Sequence, residues 1–92
     1  MATFEAIKDP DEILDYKIDW SQWLETDTIA NSQYFVYPTG SLIIDSDSYT
    51  SDQTIIWLSG GTLNRTYQVT NRITTNGGRT ADRTISMEIK SR

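Results

Sequence analysis

The sequence predicts an all-β protein, specifically an immunoglobulin-like antiparallel β-sandwich of about seven strands. Its 92 residues suffice for one hydrophobic core. Only 37% of the residues are hydrophobic, whereas Thr (13) and Ser (9) are abundant, and β-branched Thr suits half-buried strands. Strand-sized segments alternate with Gly-, Pro-, Asp- and Ser-rich turns along the chain, which leaves little room for a helix.

The first clear strand is predicted at 14–20, where apolar or aromatic residues occupy every even position and charged residues every odd one. The preceding Asp9-Pro10-Asp11-Glu12 has the form of a helix start. A helix continued through 13–24 would scatter its aromatic residues around the circumference, so a single turn at 9–12 is favoured. A short turn or 3₁₀ segment at 21–24 is expected to place Trp23 or Leu24 under the sheet edge.

The segment before this strand predicts a separate element. Phe4 and Ile7 have no periodic partner there, which is typical of an arm that becomes ordered against a neighbour. The expected organisation is an N-terminal arm at 1–13 and a β-sandwich at 14–92. Further strands are expected at 28–37, 41–45, 53–58, 66–75 and 82–90, with the polar run 45–48 as one of the turns between them.

The last two strands predict a hairpin with an odd-length loop. Facing residues share one side of a sheet, so Val69 opposite Met87 is an allowed register. This register places three residues, Gly77-Gly78-Arg79, in the loop, with a glycine in the left-handed conformation. Asn71 then falls in the buried row, where a hydrogen bond to neighbouring backbone is favoured over contact with a ligand. Tyr67 opens the penultimate strand after a Gly turn, as in the tyrosine corner of immunoglobulin-like sandwiches.

Charge is distributed unevenly. Residues 1–52 carry eleven acids and two bases, whereas residues 53–92 carry two acids and six bases, within a net charge of −5. Unlike halves of this kind can pair within one chain or head to tail between copies. The negative total disfavours nucleic-acid binding. No apolar run is long enough to span a membrane.

Catalysis and cofactor binding are disfavoured. The chain contains no Cys and no His, which excludes thiolate chemistry and removes the usual base of a nucleophilic triad. No spacing singles out two carboxylates for glycoside hydrolysis. A Ca²⁺ site at Asp45, Asp47 and Asp52 is the one arguable metal site, but a solvated acidic turn is the favoured interpretation. The expected catalytic, cofactor and metal residues are therefore none.

The ten aromatic residues exceed what so small a core requires. Tyr and Trp anchor protein interfaces, and a strand apolar on both faces, such as 53–58, indicates a neighbour on its outer side. Together with the basic hairpin, these features identify the expected partner-binding residues: Phe4, Ile7, Trp23, Trp57, Arg72, Arg79 and Arg83.

Several motifs resemble those of small tailed-phage and prophage virion proteins, a family of phage fiber-tail adaptors with an immunoglobulin-like sandwich. They are Asp9-Pro10-Asp11-Glu12-Ile13-Leu14-Asp15-Tyr16, Asp19-Trp20-Ser21, Trp23-Leu24, Asp27-Thr28-Ile29, Trp57-Leu58-Ser59-Gly60-Gly61, 67–75 and Gly78-Arg79-Thr80. The resemblance runs from about residue 8 to residue 92. The chain departs from the family by Tyr34-Phe35 in place of a single Trp and by Leu63-Asn64-Arg65 where a Gly is usual.

The resemblance implies a structural protein of the virion, assembled in the host cytoplasm, that acts as a tail or fiber adaptor through symmetric contacts. The implied partners are other phage proteins (tail, fiber, portal or connector, or capsid) and further copies of the chain, without nucleic acid or membrane. The alternatives are a capsid decoration protein on the shell, a carbohydrate-binding sandwich that uses Trp23, Tyr49 or Trp57, and an enzyme with an acidic cleft. In the favoured account, the basic hairpin meets an acidic surface of a neighbouring protein.

Overall fold

A computed structural model describes residues 2–91 and the side chains of residues 4–91. Within this range the chain forms seven strands and one helical turn. They are β1 (Ala2–Lys8), β2 (Leu14–Asp19), α1 (Ser21–Leu24), β3 (Ile29–Tyr37), β4 (Leu42–Tyr49), β5 (Gln53–Gly60), β6 (Thr66–Thr75) and β7 (Thr80–Ile89). Met1 and Arg92, at the ends of the expected arm and sandwich, lie outside the described residues.

The strands form two packed sheets. The four-stranded sheet has the order β1-β7-β6-β3, and the three-stranded sheet has the order β2-β5-β4. The core between them is built from the alternating inward residues of both sheets, as expected for an immunoglobulin-like sandwich. The all-β class and the seven-strand sandwich are therefore confirmed. One pairing departs from the antiparallel expectation, because β1 runs parallel to β7.

The N-terminal segment corrects the expectation of an arm at 1–13. Residues 2–8 form β1, which pairs with β7 over its whole length, from Ala2 opposite Arg83 to Lys8 opposite Ile89. The Lys8 ammonium is buried, and its Nζ donates to the carbonyls of Gly60 (2.7 Å) and Asp9 (2.8 Å). Burial lowers the pKa of Lys8 although acidic neighbours oppose this effect. This tether attaches the end of β1 to the end of β5.

The polar run 45–48 also differs from expectation, because it lies within strand β4 and forms no turn. A β-bulge between Ile44 and Ser46 shifts the register against β5 at this point. Asp45 accepts a 3.0 Å hydrogen bond from the Ser59 hydroxyl. The run is polar because β4 is an edge strand whose side chains here are exposed to solvent.

The β6–β7 hairpin has the expected odd-length loop, displaced by one residue. Tyr67 faces Met87 and Val69 faces Ile85, a register two residues from the expected pairing. The Thr75 N–H donates to the Arg79 carbonyl at 2.8 Å, so the three loop residues are 76–78. The left-handed residue is Gly78, with φ +86°.

The tyrosine corner is confirmed. The Tyr67 side chain is fully buried, and its hydroxyl accepts a 3.2 Å hydrogen bond from the upstream Thr62 N–H. The Ser41 hydroxyl lies 3.4 Å from the same oxygen. This contact fixes the crossover from β5 to β6 between the two sheets.

Asn71 is a hydrogen-bonded residue of the core, as expected, but three of its four partners are side chains and only one is backbone. Its Oδ1 accepts from Trp20 Nε1 at 3.0 Å and from the Thr54 hydroxyl at 2.8 Å. Its Nδ2 donates to the Ser32 hydroxyl at 2.9 Å and to the Gln33 carbonyl at 3.0 Å. These four bonds use the full capacity of the amide and connect the two sheets.

Within residues 2–91, no helix is long and apolar enough to cross a membrane.

Candidate partner-binding site

The site begins where β2 ends. Asp19 Oδ1 accepts a 2.9 Å hydrogen bond from the Ser21 N–H, which turns the chain into α1. Hydrogen bonds from Ser21 lower the pKa of Asp19. Leu24 is buried under the sheet edge, whereas Trp23 is half-buried and forms part of the surface. The short element expected at 21–24 is thus confirmed as one helical turn.

Arg79, at the end of the β6–β7 loop, fixes α1 in place. Its Nε donates to Asp27 Oδ2 at 3.2 Å, and its Nη2 donates to the Leu24 carbonyl at 3.0 Å. The guanidinium also lies 4.2 Å from the centroid of the Trp23 ring, within the range of a cation–π contact. Arg79 therefore binds both the Asp27 carboxylate and the Leu24 carbonyl at the end of α1.

The Asp27 carboxylate is held in its ionised form. Hydrogen bonds lower its pKa from 3.8 to about 2 against the opposing effect of burial. The largest contribution comes from the Thr75 side chain. The Thr28 and Gly77 N–H groups donate to Oδ1 at 2.8 Å and 3.0 Å. The 27–28 segment and the 76–78 loop are thereby joined into one polar cluster.

Arg83 packs its guanidinium on the ring of Trp20. The guanidinium carbon lies 4.2 Å from the centroid of the Trp20 ring, and Nη1 donates to the Asp19 carbonyl at 2.8 Å. Trp20 in turn contacts Trp23 edge to face, with ring centroids 5.5 Å apart. Among residues 4–91, no carboxylate oxygen lies within 4.0 Å of a nitrogen of the Arg83 side chain. Arg83 therefore forms no ion pair among these residues, although its charge helps to lower the pKa of Asp19.

Arg72 differs from Arg83, because its charge is already compensated. Its Nε and Nη2 donate to the two carboxylate oxygens of Asp82 at 2.8 Å and 3.0 Å, across the β6–β7 pair. This bidentate contact lowers the pKa of Asp82. The Arg72 guanidinium also lies 5.4 Å from the centroid of the exposed Phe35 ring. The Arg72–Asp82 pair therefore forms a polar surface next to the Phe35 ring.

These side chains enclose an open groove of about 650 Å³, here called the cation–aromatic groove. The residues that line it are Trp20, Trp23, Arg72, Thr80, Ala81, Asp82 and Arg83. Arginine and tryptophan next to each other are enriched at the energetically dominant positions of protein interfaces. A guanidinium without a carboxylate partner also recognises acidic side chains. The groove is suited to binding an acidic or aromatic protein segment.

The structure divides the seven expected partner-binding residues among three places. Trp23, Arg72 and Arg83 line the groove, and Arg79 supports it from the loop. Trp57 lies exposed on the outer face of the three-stranded sheet, opposite Asp15 of β2 and Ser46 of β4. Phe4 and Ile7 lie on β1 and are 45% and 46% exposed.

Three residues of the site were missed by the sequence interpretation. The sequence predicts Trp20 only as the end of a strand, whereas the fold shows that the Arg83 guanidinium packs on its ring. The expected β6–β7 register differs from the observed one by two residues, and it therefore does not place Asp82 opposite Arg72, where the structure has it. Asp27 belongs to a motif of the family resemblance, but the sequence gives no sign of its contact with Arg79, which spans 52 positions.

The acidic residues weighed for Ca²⁺ are arranged as follows. Asp45 and Asp47 lie on β4, and Asp52 lies in the β4–β5 turn. Across the described side chains, no three carboxylates, histidines or cysteines are grouped to hold a metal ion. Asp52 Oδ1 accepts a hydrogen bond from the Thr50 hydroxyl at 3.3 Å.

The chain thus combines a seven-stranded β-sandwich with an open groove lined by arginine and tryptophan. Residues 8–88 match the family described as Podophage GP4 fiber-tail adaptor protein gp77. The chain therefore belongs to this family, and the resemblance to phage fiber-tail adaptors indicated by the sequence motifs is confirmed. No curated protein matches the chain.

Proposed function

We propose that the chain is a structural component of a podophage virion that joins tail fibers to the tail by protein–protein contacts. The match of residues 8–88 to a fiber-tail adaptor family carries this proposal. The role is non-catalytic and requires no cofactor. Assembly of the particle takes place in the host cytoplasm, and further copies of the chain occupy equivalent positions around the tail.

The cation–aromatic groove is the proposed docking surface for a neighbouring virion protein. Arg83 supplies a charge that no carboxylate of the described residues offsets within 4.0 Å. Trp23 supplies partly exposed aromatic area beside it. The complementary surface on that protein is acidic.

Charge reversal tests this contact directly. Arg83→Glu is expected to weaken attachment of the chain to purified tails, and the wild-type contact is expected to weaken as salt is raised. Arg65→Glu is the matched control, because Arg65 is exposed just before β6, whereas the groove lies near the far end of that strand. Arg79→Glu is less informative, since Arg79 holds Asp27 and α1 in place.

Circular dichroism melting of each variant establishes that the chain is still folded before attachment is measured. Equal attachment of folded Arg83→Glu and Arg65→Glu contradicts the groove as the docking surface. Copies distributed over the capsid shell would instead identify a decoration protein.

A further inference from the structure

The edge of the four-stranded sheet at β1 differs from the other three sheet edges. Exposed edges pair readily with other chains, and proteins usually block them with charges or bulges. β3 and β4 each contain a bulge. β2 presents the alternating charges Asp15, Lys17 and Asp19. In β1 the register against β7 is continuous, no proline is present, and Glu5 is the only charged residue before the buried Lys8.

The main chain of β1 has hydrogen-bonding groups directed away from the sheet. The Lys90 N–H donates to the Lys8 carbonyl at 2.9 Å, so the even-numbered residues of β1 face β7. Alternation then directs the N–H and C=O groups of Glu5 and Ile7 to the open side. No strand within residues 2–91 pairs with β1 on that side.

Apolar surface accompanies this open edge. Phe4 lines a groove of about 310 Å³ between β1 and β2, together with Tyr16, Ile18 and Ile85. Ile7 and Ala6 form the apolar part of a second groove on the outer face of the sheet, whose other lining residues are Glu5, Thr66, Ser86 and Glu88. An added strand directs alternate side chains to opposite faces, so it would reach both grooves.

The two ends of the edge differ in charge, with Arg83 beside the exposed Asp19 at one end and an acidic turn at the other. At the beginning of β1, Ala2 lies opposite Arg83, which belongs to the cation–aromatic groove. Beyond that point Thr80 to Asp82 of β7 have no β1 partner. At the other end, β1 leads into the acidic turn that contains the exposed Asp11. The charge pattern therefore specifies which end of a bound strand is acidic and which is basic.

We infer that the open edge of β1 binds an extended segment of another virion protein by β-strand addition. The segment runs antiparallel to β1, with apolar residues at alternate positions, a basic residue near Asp11 and an acidic residue near Arg83. A second copy of β1 does not have this pattern, since its sequence Ala2–Lys8 is apolar at one end and ends in a buried lysine. That the segment belongs to a virion protein rests on the proposed adaptor function. That β1 can bind an added strand rests only on the hydrogen-bonding groups, grooves and charges at its edge.

The probe is a fluorescent eight-residue peptide that alternates Val and Thr between an N-terminal Lys and a C-terminal Glu. Saturable binding to the full chain is expected by fluorescence anisotropy. The same peptide with Lys and Glu exchanged is expected to bind about threefold to tenfold more weakly, because in the antiparallel direction proposed here both ends then meet like charge. Absence of saturable binding, or equal binding of the two peptides, overturns the proposal.

Proline substitution tests whether the main chain of β1 makes the contact. Glu5→Pro removes an N–H on the open side and keeps the hydrogen bonds from β1 to β7, whereas the matched Glu5→Ala keeps that N–H. Binding to Glu5→Pro is expected to be at least about tenfold weaker than to Glu5→Ala, since a donor is lost and the ring obstructs approach. Equal binding to the two variants overturns the proposal.

Two further measurements separate the remaining outcomes. Hydrogen exchange of the wild-type Glu5 and Ile7 amides is expected to slow when the peptide is added, and unchanged exchange contradicts the inference even if Glu5→Pro fails to fold. A wild-type dimer that Glu5→Pro converts to monomer would assign the edge to a second copy and overturn the partner proposed here. Absence of the chain from phage tails would contradict the adaptor function and leave the peptide result intact.

Discussion

The indole Nε1 of Trp20 donates a 3.0 Å hydrogen bond to Oδ1 of the buried Asn71, which joins the two sheets at the base of the cation–aromatic groove. The upper face of the same indole carries Arg83 at 4.2 Å. The buried Asn71 and the surface residue Arg83 therefore both contact the Trp20 ring. The position of the groove depends on the core beneath it.

Asn71→Ala is expected to lower the free energy of unfolding by about 3 kcal/mol, because the Trp20 N–H and the Thr54 hydroxyl lose their buried acceptor. Urea denaturation followed by tryptophan fluorescence measures this loss. The exposed Asn31→Ala on β3 is the control and should stay close to wild type. A loss for Asn71→Ala as small as that of the control would contradict the structural role of the amide.

Tyr67→Phe is expected to lower the free energy of unfolding by about 1–2 kcal/mol, since the Thr62 N–H loses its acceptor at the tyrosine corner. The matched control is Tyr37→Phe, because Tyr37 is 75% exposed and should tolerate the change. Equilibrium urea unfolding of both variants provides the comparison. Equal stability of the two variants would show that the corner contact contributes nothing measurable.

Arg79→Ala is expected to lower the melting temperature by about 5 °C and to increase solvent exposure of Trp23. The reason is the combined loss of the Asp27 ion pair, the hydrogen bond to the Leu24 carbonyl and the contact with the Trp23 ring. Differential scanning calorimetry and iodide quenching of fluorescence measure the two effects. Unchanged quenching would contradict the role of Arg79 in holding α1.

Acidification should weaken the same cluster. The folded-state pKa of Asp27, about 2, lies below its ordinary value of 3.8. Its contribution to stability is therefore complete above about pH 4 and is lost as the pH falls toward 2. Asp27→Asn should reduce the decline of melting temperature between pH 5 and pH 2, whereas Asn31→Ala, which removes no carboxylate, should keep the wild-type slope. If the melting temperature of Asp27→Asn declined with pH as steeply as that of wild type, Asp27 would not contribute to the acid destabilisation.

Local patterns in the sequence sufficed for most of the fold. Strand-sized segments between turn residues predict β2, β3 and β5 to β7 to within two residues at each end, and period-two alternation places Tyr67 and Asn71 in the core. The strand predicted at 41–45 begins within one residue of β4 but ends four residues early, because the bulge after Ile44 breaks the alternation. The local patterns failed at β1, whose parallel partner lies at the other end of the chain and leaves no local trace.

The site was less predictable for a related reason. Trp23, Arg72, Arg79 and Arg83 stand out by residue type, but their common location depends on contacts between distant segments. Asp27 and Arg79 are 52 positions apart, and Arg83 reaches the Asp19 carbonyl across 64 positions. A two-residue shift in strand register was sufficient to conceal the partner of Arg72.

The most direct measurement is a cryo-EM map of the intact virion that carries this chain. We predict a small, fixed number of copies confined to the junction of tail and fibers, with Trp23 and Arg83 against an acidic surface of a neighbouring protein. Copies spread over the capsid shell, or a cation–aromatic groove that faces solvent in every copy, would contradict the account.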